Sequence, residues 1–155
     1  KGPNIMQGYY RSPDLTKQAF HNGFYITGDI GKIENNFLFI TDRVKRFAKI
    51  GGEMVSLSLV ESKLSHILDE HTEHEKRNCA IVCIPHAQKG EQLVAFVVHQ
   101  NPDKILLNTR LNNLSVTKLS QPDHYIHIDA IPMLPSGKVD YKKLKQIALE
   151  LNVPK

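Results

Sequence analysis

A lysine on a glycine turn is the feature of this sequence with the clearest chemical potential. Lys138 follows Gly137 within the run Pro135 to Asp140. Upstream, Ile128 to Met133 predicts a strand, and downstream Tyr141 to Leu151 has apolar residues at helical spacing. An exposed turn would present the ammonium as a point charge to an anion such as a phosphate or a carboxylate. Taken alone, a Gly-Lys pair is more typical of a solvated loop.

The composition is that of an ordinary globular protein. The chain has 155 residues, of which 41% are hydrophobic and 23% charged, which fits one medium domain or a small domain with part of another. Its net charge of +4 is spread among 16 acidic residues, so we expect no nucleic acid partner. The longest apolar run, Leu93 to Val98, is far below the roughly 18 residues of a transmembrane segment. The start, without a methionine or an apolar signal segment, predicts a longer parent chain.

Two cysteines, Cys79 and Cys83, lie four residues apart in a segment typical of a buried strand. Their side chains should point to the same face, and we interpret them as core residues. A zinc site would need further ligands, and the available histidines, His71, His74 and His86, carry no recognisable spacing. We therefore expect no metal site in this chain and, from the free thiols, a reducing compartment.

The chain divides near Asp42. Residues 1–41 contain turn signals and a predicted hairpin, in which Ile30 to Ile33 and Phe37 to Ile40 flank Asn35-Asn36, because asparagine tolerates the left-handed conformation of a tight turn. This stretch is too short to bury a core of its own. The turn signals are Gly2-Pro3, Ser12-Pro13 and Asn22-Gly23.

After Asp42 the pattern predicts an α+β domain. A helix should begin at Ser56 or Ser58 as N-cap, with Glu61 in its first turn. Its expected apolar stripe is Leu59, Val60, Leu64, Ile67 and Leu68. We interpret the charged run Asp69 to Arg77 as a solvated connector. The other predicted elements are strands Phe47 to Ile50, Met54 to Val55, Cys79 to Ile84, Leu93 to His99 and Tyr125 to Asp129, a helix within Leu106 to Leu119, and the C-terminal helix.

Four motifs follow one another along the chain: Gly2 to Tyr9, Phe24 to Asp29, Asp42 to Glu53, and Pro132 to Lys138. In this order they resemble the end of the adenylate-forming acyl-activating superfamily, which includes acyl-CoA synthetases, luciferases and nonribosomal adenylation domains. A narrower resemblance, carried by Lys45 to Leu57 alone, is to the synthetase part of bacterial bifunctional 2-acylglycerophosphoethanolamine acyltransferase/acyl-acyl carrier protein synthetases.

The resemblance implies an organisation of the chain. Residues 1–41 would be the β-rich C-terminal end of a large adenylation domain, residues 42–46 a hinge, and residues 47–155 a small mobile α+β domain with a short hairpin, a roughly three-stranded sheet and helices. Lys45 falls where family members rotate between an adenylation pose and a thioester-forming pose. The family's phosphate loop and acidic motif near ATP are absent from this sequence, so the fragment alone should be inactive.

The resemblance also assigns roles to single residues. Lys138 would supply positive charge between the acyl carboxylate and the α-phosphate. Asp29 would accept hydrogen bonds from the ribose hydroxyls, and Arg43 would help to hold the nucleotide; their alternative roles are a strand-end turn residue and a surface salt bridge. In the second pose Lys49 would serve the thioester step. The residues that would face the pantetheine arm are Gly51, Gly52 and Glu53.

The implied reactants are ATP with Mg²⁺, a fatty acid, and the phosphopantetheine thiol of acyl carrier protein or CoA. The narrower resemblance favours acyl carrier protein, with the acyl group passing to a lysophospholipid on the cytoplasmic side of the bacterial inner membrane. One alternative is an acyl-CoA synthetase or aryl-acid ligase that uses CoA, and another is a non-catalytic interaction module. The cations expected to steer an acidic carrier protein are Lys45, Arg46 and Lys49, helped by Lys63 or Lys89.

Overall fold

The structure, a computed structural model, describes residues 2–69, 77–99 and 101–151 and contains two compact units. The first ends at Lys45 and the second begins at Arg46, which lies inside the segment 42–46 that the sequence singles out. One turn of 3₁₀-helix, Val44–Arg46, spans this boundary. Among the described residues, no helix has the length and apolar character needed to cross a membrane.

The first unit consists of one short helix and two antiparallel hairpins. The predicted turn at Asn35-Asn36 is confirmed, because both residues have positive φ (49° and 65°) and join paired strands. Ser12-Pro13 was predicted as a turn, but Pro13 instead opens a helix, a position where its missing N–H costs nothing. The elements are α1 (Pro13–Ala19), β1 (Phe20–His21), β2 (Phe24–Tyr25), β3 (Asp29–Glu34) and β4 (Phe37–Arg43).

The second unit is built on a five-stranded sheet in the described part of the chain. The predicted hairpin is therefore not separate from the predicted three-stranded sheet, since β5 joins β8 through the pair Ile50 and Gly90. Strand β8 also pairs with β7 on one side and, in parallel, with β9 on the other. The strands are β5 (Phe47–Ile50), β6 (Glu53–Ser56), β7 (Cys79–His86), β8 (Gly90–Val97) and β9 (His124–His127).

Helices cover both faces of this sheet: α2 (Leu57–Asp69), α3 (Lys104–Asn113) and α4 (Tyr141–Glu150). Alternate residues of β7 and β8 enter two cores, so that Ile81 packs with α2 and α3 while Ala80 packs with α4. Cys79 and Cys83 both belong to the first core, as predicted. The fold class expected from the sequence is confirmed, with helices α2 and α3 on one side and α4 on the other.

Three local predictions are corrected. Ile128 to Met133 is not a strand; β9 ends at His127, and only an isolated bridge joins Met133 to Val139. Leu59 does not join the apolar stripe of α2 and is 55% exposed, whereas Val60, Leu64, Ile67 and Leu68 are buried. Glu61 lies beyond the first turn of α2 and is buried. The predicted connector at Asp69 to Arg77 falls mainly on residues 70–76, outside the described residues.

Candidate functional site

The Lys138 turn is a tight loop on a fixed base. Its base is closed by hydrogen bonds from the Leu134 N–H to the Lys138 carbonyl (2.7 Å) and from the Asp140 N–H to the Pro132 carbonyl (2.8 Å). Gly137 has φ of 76°, a conformation that glycine adopts without strain. The Lys138 side chain is exposed, and within the described residues no ion pair involves its ammonium. A rigid backbone thus presents a free cation.

The hairpin of β5 and β6 contains the residues predicted to serve the thioester step. Gly51 and Gly52 form its two-residue turn with φ of 57° and 91°, as type I′ hairpins require. Lys49 is exposed between the buried Ala48 and Ile50, and its backbone N–H donates to Glu91 Oε2 at 2.7 Å. Apart from Gly52 and its two chain neighbours, no heavy atom of the described residues lies within 4 Å of the place where a Cβ on Gly52 would stand. Another chain therefore has room to approach the backbone here.

Asp29 and Arg43, which are 14 positions apart, meet across the first unit's larger hairpin. They are register partners in β3 and β4, and Arg43 Nε lies 2.8 Å from Asp29 Oδ1. The Asp29 side chain is only 22% exposed, whereas that of Arg43 is 66% exposed. The surface salt bridge considered for Arg43 is thus present. A carboxylate has about four lone-pair sites, so this contact leaves Asp29 further capacity to accept hydrogen bonds.

Lys45 sits in the 3₁₀ turn between the two units and is exposed. The residue before it, Val44, donates its N–H to the Gly28 carbonyl (2.9 Å). The residue after it, Arg46, is held within the second unit, where its guanidinium donates to the Ile81 carbonyl (2.9 Å). Lys45 therefore lies between two anchored neighbours, each bonded to a different unit.

A buried carboxylate, Glu61, was missed as a functional candidate. Its Oε2 lies 2.6 Å from Arg46 Nη2 and accepts the Ile81 N–H at 2.8 Å. Its Oε1 accepts from Arg77 at 3.1 Å and from the Tyr141 hydroxyl at 2.8 Å. The signal in the sequence was its position: Glu61 falls on the buried stripe of α2, at helical spacing from Leu57, Leu64 and Leu68.

The structure changes the set of cations available for steering a partner. Arg46 is mostly buried, with 15% of its side chain exposed against Glu61. Lys63 donates to the Leu114 carbonyl at 2.6 Å, and Lys89 pairs with Asp123 at 2.5 Å. Three of the five predicted cations are thus engaged within the second unit. Lys45 and Lys49 remain as exposed charges.

Both cysteines lie in or against the first core, in an environment typical of core residues. Burial raises the pKa of the Cys79 thiol to about 12, and burial followed by the Glu91 contact raises that of Cys83. Both thiols therefore stay protonated and weakly nucleophilic near neutral pH. Within residues 2–69, 77–99 and 101–151 no group of three or more His, Cys, Asp or Glu is placed to hold a metal. His71 and His74 lie outside these residues.

The Tyr141 hydroxyl gives a pH prediction. Burial, and then the Glu61 charge, raise its pKa to about 12. A raised folded-state pKa means that the stabilisation is complete below the ordinary tyrosine value of about 10 and is lost as pH rises through 12. The free energy of unfolding should therefore fall more steeply above pH 10 in the wild type than in Tyr141→Phe, by at most about 1.4 kcal/mol per pH unit. Urea unfolding at several pH values measures this; equal slopes would contradict it.

Known proteins are similar to this chain in sequence and in fold. A long-chain-fatty-acid–CoA ligase of Thermus thermophilus is 34% identical over 151 residues, which are 94% of this chain and 27% of that protein. A vibriobactin-specific 2,3-dihydroxybenzoate-AMP ligase of Vibrio cholerae is 30% identical over 151 residues, again 94% of this chain and 27% of that protein. The chain thus spans about a quarter of the length of these relatives. No protein-family model matches the sequence.

Two solved structures extend the comparison. ATP-bound MatB from Rhodopseudomonas palustris has a TM-score of 0.81 and 30% identity, covering 99% of this chain and 30% of that one. The o-succinylbenzoate CoA synthetase MenE from Bacillus subtilis, in complex with its acyl-adenylate intermediate, has a TM-score of 0.76 and 26% identity, covering 94% and 29%. The chain corresponds to the C-terminal part of an enzyme of the adenylate-forming superfamily of acyl-CoA, aryl-CoA and acid ligases.

Proposed function

We propose that this chain is part of an ATP-dependent ligase that activates a carboxylic acid as an acyl-adenylate and then transfers the acyl group to a pantetheine thiol. The observation that carries the proposal is the Lys138 turn, in which a backbone fixed by hydrogen bonds and by Gly137 presents an ammonium that forms no ion pair with the described residues. Anionic reactants need such a charge, because a carboxylate and ATP repel each other.

In the first half-reaction a carboxylate oxygen bonds to the α-phosphorus of ATP, and the bond from that phosphorus to pyrophosphate breaks. Lys138 offsets the negative charge that the carboxylate and the α-phosphate bring together. Asp29 accepts hydrogen bonds from the ribose, and Arg43, already fixed against Asp29 at 2.8 Å, supports the nucleotide. A bound Mg²⁺ would offset the charge of the leaving pyrophosphate, and we place its ligands mostly outside this chain.

In the second half-reaction the thiol sulfur bonds to the acyl carbonyl carbon, the carbon–oxygen bond to AMP breaks, and the thiol proton is released. Rotation at Lys45 would exchange Lys138 for the β5–β6 hairpin at the reacting centre. Lys49 and the open backbone at Gly52 suit the approach of a pantetheine arm. Glu53, which is exposed directly after the turn, would also face the pantetheine arm.

The division of the chain follows from the same proposal. Residues 1–41 would complete a large adenylation domain, and residues 47–155 would form the mobile domain. Support comes from the hairpin of β3 and β4, where Ile33 is 77% and Phe37 68% exposed. Apolar side chains in such a cluster are typical of a surface that packs against further protein.

For the acceptor we propose acyl carrier protein, as the segment Lys45 to Leu57 suggests. The parent enzyme would then carry an acyltransferase that passes the fatty acyl group to a lysophospholipid at the cytoplasmic side of the bacterial inner membrane. Lys45 and Lys49, the exposed members of the predicted cation set, would steer the acidic carrier. CoA is the second candidate acceptor, because several relatives are named as CoA ligases.

The acceptor is tested in the intact enzyme that contains this chain. Thioester formation with a long-chain fatty acid is measured on holo acyl carrier protein and on CoA, each at 0.1 M and 1 M salt. We expect the carrier protein to be preferred and its rate to fall with salt, because the Debye length shrinks from about 10 Å to about 3 Å. A clear preference for CoA would overturn the carrier-protein assignment and leave the acid–thiol ligase proposal standing.

A further inference from the structure

The buried Glu61 carboxylate joins three parts of the second unit that are distant in sequence. It lies in the middle of α2, and it contacts Arg46, the residue after the proposed hinge, through Oε2 at 2.6 Å. Through Oε1 it accepts the hydroxyl of Tyr141 at 2.8 Å. Tyr141 is the first residue of α4 and lies three positions after Lys138. One carboxylate therefore bonds both to Arg46, directly after the proposed hinge residue, and to Tyr141, which follows the Lys138 turn.

The contacts on the Lys138 side form a short, continuous path. Tyr141 follows Asp140, whose N–H donates to the Pro132 carbonyl (2.8 Å) and whose Oδ1 caps α4 through the Lys143 N–H (3.0 Å). Val139 is buried, 5% exposed, and bridges to Met133. Residues 135–137 form the loop between Leu134 and Lys138, which are themselves joined by a hydrogen bond. The backbone from which Lys138 projects is thus connected to Tyr141 by a short run of fixed residues.

The contacts on the hinge side are equally direct. The Arg46 guanidinium bonds to Glu61 and to the Ile81 carbonyl of β7, and it stacks over the Tyr141 ring with its central carbon 3.9 Å from the ring centroid. An arginine that stacks on a ring and bonds to two separate acceptors has little freedom to move. Through these contacts Arg46, the residue after Lys45, is linked directly to Tyr141.

We infer that Glu61 and Tyr141 are positioning residues. They connect Arg46, the residue after the proposed hinge, to the Lys138 turn, so that domain rotation brings Lys138 to the reacting carboxylate and α-phosphate. This inference rests on the proposed function. It assigns no contact with substrate to either residue. It predicts that loosening Tyr141 harms the half-reaction that needs Lys138 and spares the one that needs the β5–β6 hairpin.

The competing explanation is a buried ion pair that only stabilises the fold, and matched tyrosine variants separate the two. Tyr141→Phe keeps the ring under Arg46 and removes one hydrogen bond, while Arg77 still bonds to Glu61 Oε1 at 3.1 Å. Tyr125→Phe is the control, because its hydroxyl donates a hydrogen bond of similar length (2.7 Å) to Asn108, on α3 and away from the turn. Both variants should fold.

The first measurement is amide hydrogen exchange in the full chain. Tyr141→Phe should speed exchange at the three bonded amides of the turn, Leu134, Gly137 and Asp140, by about tenfold, the value of one hydrogen bond to a charged group. Tyr125→Phe should leave these amides unchanged. Unchanged exchange in Tyr141→Phe, or equal changes in both variants, would overturn the inference whatever reaction the enzyme catalyses.

The second measurement compares half-reactions in the intact enzyme. Tyr141→Phe should slow acid-dependent pyrophosphate exchange about tenfold and leave thioester formation from preformed acyl-adenylate unchanged, with Tyr125→Phe like the wild type in both. Equal losses in both half-reactions would show a merely structural role and overturn the inference. If the wild type catalyses no acid-dependent exchange, the proposed function fails, and amide exchange still decides whether Tyr141 fixes the turn.

Discussion

Replacing Lys138 by alanine in the intact enzyme should slow acyl-adenylate formation by about 10²- to 10³-fold, the usual effect of removing one electrostatic contact to a developing charge. Thioester formation from preformed adenylate should change little, because Lys138 belongs to the first pose only. Lys49→Ala should show the opposite pattern. Single-turnover measurements of the two half-reactions distinguish these outcomes.

A matched control for Lys138→Ala is available on the same segment. Lys142 is an exposed lysine in the first turn of α4, so Lys142→Ala removes the same charge four positions away without touching the glycine turn. It should leave both half-reactions close to the wild-type rates. If Lys138→Ala and Lys49→Ala lose the same half-reaction to the same extent, the assignment of the two lysines to two poses is wrong.

Replacing Lys45 by proline should impair one half-reaction severely while Lys45→Ala has a mild effect. Proline fixes φ, removes an N–H and disfavours helical backbone at the preceding residue, Val44, which lies in the 3₁₀ turn. The substitution should therefore disfavour the 3₁₀ turn at Val44–Arg46 and hold the enzyme in another pose. Folding stability should be nearly unchanged, since the Lys45 side chain is exposed.

Rates of both half-reactions and urea unfolding of the two Lys45 variants provide the measurement. The alanine variant removes the charge and keeps a flexible backbone, so it isolates the effect of rotation. Small and equal effects of both substitutions on both half-reactions would remove the hinge from this position. A large loss in Lys45→Ala would instead assign the role to the ammonium.

Part of the fold could be predicted from the sequence, because some turns and strands depend on a few neighbouring residues. The turns at Asn35-Asn36 and Gly51-Gly52 were predictable because few residues accept positive φ, and both are present. The buried strands β7 and β8 were predictable from their apolar runs. The attachment of the β5–β6 hairpin to the main sheet depends on non-local contacts, such as the pairing of Ile50 with Gly90 and the bond from the Lys49 N–H to Glu91, which no local pattern encodes.

Candidate site residues could be singled out from the sequence where they lie in a turn or a motif. A residue that is set apart by its burial in the folded chain could not. Lys138, Lys49 and Gly52, which the motifs singled out, are exposed, and their roles stay predictions. Glu61 was assigned to a first helical turn because acidic residues favour that position. Its burial results from partners at Arg46, Arg77 and Tyr141, up to 80 positions away in sequence. Only the folded chain brings these charges together.

The most direct test of the account is acid-dependent exchange of pyrophosphate into ATP by the intact enzyme containing this chain, measured with a panel of fatty and aryl acids. We expect exchange with at least one acid in the wild type and a loss of about 10²- to 10³-fold in Lys138→Ala. Exchange that is absent with every acid, or that is unaffected by Lys138→Ala, would contradict the claim that this turn serves acyl-adenylate formation.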